Sequence, residues 1–326
     1  MRHRLLPLLA ALVLGAAYAQ TLTVYSGRGE SLVAPLVERF TAETGIEVAV
    51  RYGDTAQLAV LILEEGAVSP ADVYWGQDAG ALGALAQAGR LRAVPTALTA
   101  ELPGIYSGAS QTWVATSGRA RVFAYAPGRV AALPTSVFDL TAPEWRGRVS
   151  WAPTNGSFQA FVTAMRVVHG EDVTRAWLRG MQANGVRAYS NNTTQVEAIA
   201  AGEVDVALTN NYYLLRFLAN DPNYPVAQAF FADGDVGNLV NVAGAGVLDT
   251  SSQSEAAERF VAFLLSDQAQ SYFTNEVFEY PVTAAVAPNA NLESLERLIE
   301  ASPDVDLDTL DDLDGTLDLL REVGLL

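Results

Sequence analysis

Two adjacent phenol side chains, Tyr212 and Tyr213, are the residues of this chain whose types and spacing point most directly to chemistry. Neighbouring residues of a strand point to opposite faces, so two adjacent phenols converge on one ligand only where a strand has ended and a turn or helix begins. Residues 205–208 predict a strand, 209–211 a capping loop, and the apolar residues from 212 to 218 follow the helical period.

A pair of phenolates is chemically suited to a hard, highly charged cation. The phenol pKa is normally about 10, and a bound metal ion can displace that proton. Anionic oxygen donors therefore make the pair a candidate Fe(III) site. Adjacent tyrosines in an arbitrary protein are more often ordinary half-buried packing at a helix start, and that interpretation stays open at this point.

The first 19 residues have the three parts of a secretory signal. Arginines precede an apolar run over 5–17, and residues 17–19 form a small-x-small cleavage site, which predicts a mature chain beginning at Gln20. The apolar run is too short to span a bilayer comfortably. There is no cysteine to carry a disulfide, a thiolate metal site or a lipid anchor. We therefore expect a free periplasmic protein.

The charge balance excludes several classes of function. The chain has 37 acidic and 20 basic residues, a formal net charge of −17, which makes nucleic acid an unsuitable partner. Every basic residue is arginine, so an anion site must use guanidinium or backbone N–H groups. His169 is the only histidine after the signal, and its place before Gly170 is typical of a helix end. A catalytic triad or a zinc hydrolase is therefore disfavoured, and we expect no enzyme.

Alternating strand and helix signals predict an α/β fold with a mainly parallel sheet and helices on its faces. The length exceeds what one core usually holds, so two domains are expected. In such sheets ligands bind outside the carboxyl ends of the strands. The predicted strands are 22–25, 46–50, 71–75 and 149–152, and the predicted helices are 32–40, 55–65 and 158–168.

The loops after these strands are rich in glycine and polar residues. They comprise 26–29, 76–78, 154–157 and 209–211. Free N–H groups at a helix start bind anions, although each loop alone is also explained by ordinary turn chemistry. Several such loops at equivalent positions, one of them followed by the tyrosine pair, favour a ligand site.

The last third of the chain predicts a return to the first domain. The segments that we expect to lie in the first domain again are residues 243–248, a helix over 256–265 and residues 268–273. A chain that leaves one lobe, builds a second and comes back forms a hinged clamp. The acidic tail, 304–318, has leucines at helical spacing and predicts one or two peripheral helices with a solvated face.

Together these segments resemble the bacterial periplasmic ferric-ion-binding proteins, the transferrin-like solute-binding components of iron ABC importers. The resemblance extends over essentially the whole mature chain and rests on the order and spacing of modest motifs. It implies a two-lobe type II binding-protein fold with the ligand in the interlobe cleft, each lobe a mostly parallel sheet flanked by helices. The matching stretches are residues 23–27, 64–66 with 69–73, 117–122, 202–205, 210–213 and 279–281.

The resemblance also implies roles for individual residues. Tyr212 and Tyr213 match the family's phenolate ligands of Fe(III). A synergistic anion, carbonate, bicarbonate or phosphate, is expected beside the metal, held by guanidinium, amide and helix-start donors. For the two arginines among them, an interlobe salt bridge stays an alternative. The residues expected at the anion are Arg28, Arg121, Asn155, Gly156, Ser157, Asn192 and Asn210.

This chain departs from the family pattern in the first lobe. Gly29 stands where many members have a histidine ligand, and Gln77 where they have a glutamate ligand. The predicted cleft residues Gly29, Gln77 and Asp78 thus provide no usual donor set. Glu30 and Asp78, each one residue further on, are considered only as indirect contributors. Two phenolates with oxygens of one or more bound anions would complete the coordination shell.

The predicted organisation is a signal peptide at 1–19, an N-lobe of 20–115 plus 243–288, and a C-lobe of 116–242 plus 289–326. We expect a monomer that takes Fe(III), free or chelated, and delivers it to an inner-membrane ABC permease. A binding protein for an oxyanion such as phosphate or phosphonate is the alternative, with the tyrosines as hydrogen-bond donors only. An exported hydrolase is a third and weaker hypothesis.

Overall fold

Nine strands form the sheet of this protein in a computed structural model that describes residues 21–100, 102, 111–305 and 307–326. The predicted signal peptide and Gln20 lie outside the described residues. The strands are β1 Thr21–Ser26, β2 Glu47–Tyr52, β3 Val73–Gly76, β4 Val114–Tyr125, β5 Val149–Trp151, β6 Arg187–Ala188, β7 Val206–Asn210, β8 Ala227–Ala229 and β9 Val240–Val247.

Twelve α-helices flank the sheet in the described part of the chain, with short 3-10 or π-helical turns between some of them. The first of these helices ends at Gly45, whose φ of 70° is the left-handed conformation that glycine adopts readily. The helices are α1 Glu30–Thr44, α2 Thr55–Glu65, α3 Ala79–Gln87, α4 Thr96–Thr99, α5 Gly156–His169, α6 Glu171–Ala183, α7 Asn192–Ala200, α8 Asn211–Asn220, α9 Ser254–Leu264, α10 Asp267–Tyr272, α11 Leu295–Ala301 and α12 Leu313–Glu322.

The sheet has two halves built on the same plan. In the first half β1 pairs in parallel with β2 and β3, and in the second β5 pairs in parallel with β6 and β7. The strand order is β2-β1-β3-β9-β4-β7-β5-β6, with β8 added to β4. Each half is thus a short parallel βαβ sheet, and the two are the lobes of the type II binding-protein fold that the sequence predicted.

Two long antiparallel strands join the halves. β9 pairs with β3 of the first half and with the beginning of β4, while the end of β4 pairs with β7 of the second half. Every residue of β9 is buried, and Gly244 and Gly246 leave room there for Leu82 and Leu91. The lobes are therefore connected through continuous strands, and a hinge between the lobes would lie in these strands.

The carboxyl ends of β1 and β3 face those of β5 and β7 across the junction of the two halves. Ser26 and Gly76 end their strands in the first half, and Trp151 and Asn210 end theirs in the second. The sequence predicted a capping loop over 209–211, and that prediction is wrong. Asn210 still pairs with Arg121 in the sheet, and α8 begins at the next residue.

The acidic tail packs against both halves. A 3-10 turn, Leu307–Leu310, and α12 contain buried leucines at helical spacing, as predicted. The tail is not peripheral, because Leu310 belongs to the core of the second half and Leu313 and Leu317 to that of the first. The tail therefore lies across the interlobe boundary. The lobe limits predicted from sequence stay a prediction.

Candidate functional site

The tyrosine pair lies at the start of α8, directly after β7. Tyr212 is fully buried and Tyr213 is 7% exposed. Their rings stack, with centroids 4.2 Å apart and planes inclined by 29°. A strand that ends in the N-cap residue Asn210 and turns at once into a helix allows neighbouring side chains to lie side by side. The two rings are thus held together by local backbone geometry.

Gln77 reaches Tyr212 from the opposite lobe. Its Nε2 donates a hydrogen bond of 3.2 Å to the phenol oxygen, across 135 residues of sequence. Burial is the main cause that raises the pKa of Tyr212 well above its ordinary value, followed by Tyr213 and Glu279, while Arg28 and Arg119 oppose the rise. Without a metal ion the phenol therefore keeps its proton, and a donor at its oxygen prepares it to become a phenolate.

Three buried arginines surround the pair. Arg28 is 1% exposed, Arg119 1% and Arg121 3%. Burial lowers the pKa of Arg119, and burial followed by the charge of Arg119 lowers the pKa of Arg121 to about 9. None of the three guanidinium nitrogens of Arg119 has a hydrogen-bond partner in the described structure. Buried donors of this kind are costly when unpaired, so the arrangement suits an anionic ligand.

Arg28 is tied to Glu279, 251 residues away in sequence. Its Nη2 donates to Glu279 Oε2 at 2.9 Å, and both side chains are fully buried. Burial lowers the pKa of Arg28, but Glu279 and the tyrosines outweigh it, so the net shift is upward. Ser117 Oγ donates to the same carboxylate oxygen at 2.5 Å. The salt-bridge alternative is therefore realised for one nitrogen of Arg28, while its Nε and Nη1 lack partners.

The start of α5 brings the second predicted loop to the same place. Asn155 caps the helix by accepting from Ser157 N at 3.1 Å and from Ser157 Oγ at 2.6 Å. Asn210 Nδ2 donates to Ser157 Oγ at 3.1 Å, and Arg121 Nη1 donates to the Ser157 carbonyl oxygen at 3.2 Å. The structure thus joins Arg121, Asn155, Ser157 and Asn210 in one network beside the tyrosines.

Gly156 lies against the first lobe with no space for a side chain. A Cβ there would lie 2.5 Å from Asp78 Oδ2 and 2.9 Å from Thr55 Cβ. Asp78 caps α3 through Ala81 N, and burial raises its pKa to about 6 against the opposing effects of that bond and of Arg119. The lobes are therefore in contact at this point, and the cleft is closed.

Two predicted residues are placed less centrally. Gly29 is exposed at the N-cap of α1, where a Cβ would meet only Leu32 at 3.9 Å. Asn192 is buried at the start of α7, and its Oδ1 accepts from Gln195 on the same helix. Its Nδ2 has no hydrogen-bond partner in the described structure. Gln77 and Asp78, by contrast, are buried in the interface.

Arg119 and Glu279 are site residues to which the sequence analysis gave no role. Both lie in stretches that carry the family resemblance, but each needed a physical reason to be singled out. Arg119 and Arg121 are two residues apart in a strand and therefore share a face. Glu279 is an acid inside an apolar run, a position that usually requires a partner for the charge. These two patterns were the available signals.

Two further observations limit the kind of site. Among residues 21–100, 102, 111–305 and 307–326, no group of three or more histidine, cysteine or carboxylate side chains is placed to hold a metal ion. In the same residues no helix is both long and apolar enough to cross a bilayer.

The fold and the interlobe site define a solute-binding protein rather than an enzyme. Residues 22–279 match the family of bacterial extracellular solute-binding proteins, and this chain belongs to that family. The expectation of a non-enzymatic binding protein is thereby confirmed.

Particular members of the family are similar over nearly the whole chain. The major ferric iron-binding protein of Neisseria meningitidis serogroup B is 34% identical, covering 98% of this chain and 97% of that protein. The Fe(3+)-binding periplasmic protein of Serratia marcescens is 33% identical, covering 95% and 92%. The crystal structure of iron-bound HitA from Pseudomonas aeruginosa matches with a TM-score of 0.88 at 35% identity, covering 94% of this chain and all of that one.

Proposed function

We propose that this protein captures Fe(III) in the interlobe cleft, with the phenolates of Tyr212 and Tyr213 as its protein ligands and a synergistic anion beside them. The observation that carries the proposal is the buried, stacked tyrosine pair, reached by Gln77 from the other lobe. The similarity to ferric iron-binding proteins of Neisseria meningitidis and Serratia marcescens supports iron as the cargo.

The excess of buried positive charge in the cleft supports a bound anion beside the iron. Among the described residues, Arg28, Arg119 and Arg121 have two buried carboxylates near them, those of Asp78 and Glu279. Fe(III) with two phenolates adds one further positive charge, so the loaded cleft needs external negative charge. A carbonate, bicarbonate or phosphate would supply it and would accept the unpartnered guanidinium hydrogen bonds. We propose that the remaining predicted donors also bind this anion. They are Asn155, Gly156, Ser157, Asn192 and Asn210.

Lobe closure performs the capture. Closing the cleft removes water from the ion and the phenolates, which strengthens their attraction in a medium of lower dielectric constant. Opening the cleft exposes the ion to water and favours its release to a partner. Protonation of the phenols weakens binding, and so does reduction to the softer Fe(II) ion.

The cellular setting follows from the same proposal. The signal-like segment 1–19 and the periplasmic relative support export to the periplasm. An inner-membrane ABC permease would receive the ion from a monomeric carrier. The ion reaches the protein free or as a chelate.

A visible absorption titration tests the iron site. Iron-stripped protein is titrated with ferric citrate in bicarbonate buffer, because iron phenolate absorbs visible light. We expect a band that saturates near one iron per protein and is lost in the Tyr212→Phe, Tyr213→Phe double variant. Tyr125→Phe, in β4 away from the pair, is the matched control and keeps the band. A colourless wild-type protein would contradict the proposal.

The second candidate is an oxyanion-binding protein in which the tyrosines are only hydrogen-bond donors. The unpartnered nitrogens of Arg119 favour it. Phosphate or phosphonate that binds tightly without iron, together with a colourless titration, would place this candidate first.

A further inference from the structure

The side chain of Glu279 has one satisfied oxygen and one orphaned oxygen. Oε2 accepts from Arg28 and from Ser117, whereas Oε1 is buried and has no hydrogen-bond partner in the described part of the chain. A buried acceptor left without a donor is costly, and native proteins seldom tolerate it. Oε1 is therefore a place where a ligand that donates a hydrogen bond would be stabilised.

Glu279 belongs to the candidate site by contact and by charge. Its partner Arg28 interacts electrostatically with both tyrosines. The charge of Glu279 also acts on Tyr212 and on Arg119, the arginine whose nitrogens are all unpartnered. Glu279 and the arginines with unpartnered nitrogens are thus neighbours of the tyrosine pair.

The unpartnered atoms describe the hydrogen-bonding character of the ligand. Arg28 offers two free nitrogens, Arg119 three and Arg121 one, all of which require acceptors. Glu279 Oε1 requires a donor, and so do Asp78 Oδ2 and Asn210 Oδ1. A ligand that is mostly acceptor but carries a hydroxyl bonds to atoms of both kinds, the arginine nitrogens and one of these oxygens, whereas one with acceptor oxygens only bonds to the nitrogens alone.

We propose that Glu279 is a specificity-determining residue that selects an oxyanion retaining a proton, hydrogencarbonate or hydrogenphosphate, over a fully deprotonated one such as sulfate. The hydroxyl of the anion donates to Glu279 Oε1 while its other oxygens accept from the arginines. Sulfate carries no proton at neutral pH, so one of its oxygens would face the carboxylate without a hydrogen between them.

This inference rests on the proposed function, since it concerns the anion that accompanies the iron, but its test does not need iron. Isothermal titration calorimetry of the iron-free protein at pH 7.5 compares phosphate, hydrogencarbonate and sulfate. We expect phosphate or hydrogencarbonate to bind at least about 100-fold more tightly than sulfate. The tighter of the two identifies which source of protonated oxyanion the site takes.

The Glu279→Gln variant tests the residue itself. Glutamine keeps a carbonyl oxygen for Arg28 and Ser117 and replaces Oε1 by an amide NH2 group, which donates instead of accepting. We expect the preference over sulfate to fall at least about tenfold, while Glu203→Gln, an exposed residue bonded to Tyr189, leaves it unchanged.

Three results would overturn the proposal. They are equal binding of sulfate by the wild-type protein, an unaltered preference in Glu279→Gln, and no binding heat for any of the three anions. The wild-type comparison decides even where the variant does not fold. An absent iron band beside a clear anion preference would instead contradict the ferric proposal alone.

Discussion

At the scale of single residues, the buried polar side chains of the cleft are arranged to suit an ionic ligand. Gln77 stands where the family resemblance led us to expect a glutamate, and its amide donates to Tyr212. That hydrogen bond favours the phenolate form of the tyrosine it contacts. Arg119, Arg121 and Arg28 bring positive charge to the surroundings of the pair, and in the proposed function that charge holds the anion beside the metal.

Asp78 gives a prediction at this scale. Its pKa is raised to about 6 by burial, above an ordinary value of 3.8, so its contribution favours the folded state below about pH 4 and is lost as the pH rises through 6. Asn can keep the α3 cap, because its side chain also accepts from Ala81. We expect iron-free Asp78→Asn to gain stability over the wild type by up to about 3 kcal/mol at pH 7, with no gain at pH 4.

Urea unfolding at pH 4, 5, 6 and 7 measures this gain. Asp312→Asn is the matched control, since Asp312 also caps a helix, through Gly315 in α12. Although burial opposes it, the hydrogen bonds from Arg166 and Gly315 lower the pKa of Asp312, so its carboxylate stabilises the folded state above about pH 4. Asp312→Asn should therefore be less stable than the wild type by a nearly constant amount from pH 5 to 7. A gain for Asp78→Asn that does not depend on pH would contradict the assignment.

At the scale of elements, the sequence predicted those features that local patterns determine. The helix over 55–65 was predicted with the bounds that α2 has, because an apolar periodic run follows the polar turn that ends at Asp54. The loop over 209–211 was predicted wrongly, because Asn210 pairs in the sheet with Arg121 of β4, a strand that is far from β7 in sequence. Contacts such as that of Arg28 with Glu279 join residues far apart in sequence, and a local sequence pattern cannot predict which residues will pair.

The approach of α5 to the first lobe gives a prediction for this scale. In Gly156→Ala, the added Cβ would lie 2.5 Å from Asp78 Oδ2 and 2.9 Å from Thr55 Cβ across the closed interface. Alanine is a better helix former than glycine, so the second lobe should fold normally. We expect iron affinity to fall about tenfold or more, by at least ~1.4 kcal/mol.

Competition with citrate measures that affinity. Gly128→Ala provides the comparison, because no atom lies near the Cβ it would add. Equal iron affinity in both variants would show that Gly156 does not lie at a closing contact.

At the scale of the whole molecule, the tail bridges the two lobes. It is fixed to α5 by Thr316, 2.7 Å from Thr163, and by Asp312, which pairs with Arg166 at 2.8 Å. On its other side the backbone of Leu310 lies against Gly80 in α3, the helix that follows Gln77 and Asp78. Opening the cleft must therefore separate the tail from one of these helices, which ties the tail to closure.

Gly80→Ala tests this bridge. Its Cβ would lie 2.6 Å from the carbonyl oxygen of Leu310, a backbone atom that cannot move aside without the tail. We expect faster amide hydrogen exchange over 307–326 and a larger radius of gyration in iron-free protein by small-angle scattering. Gly128→Ala should match the wild type in both. Unchanged exchange and unchanged radius in Gly80→Ala would refute the bridge.

The central claim, that two phenolates hold Fe(III), is tested most directly by resonance Raman spectroscopy of iron-loaded protein excited within its visible band. The account predicts enhanced ring modes of metal-bound tyrosine in the wild type. It also predicts weaker modes in Tyr212→Phe and in Tyr213→Phe, and none in the double variant. An iron-loaded protein without those modes, or modes that survive in the double variant, would contradict it.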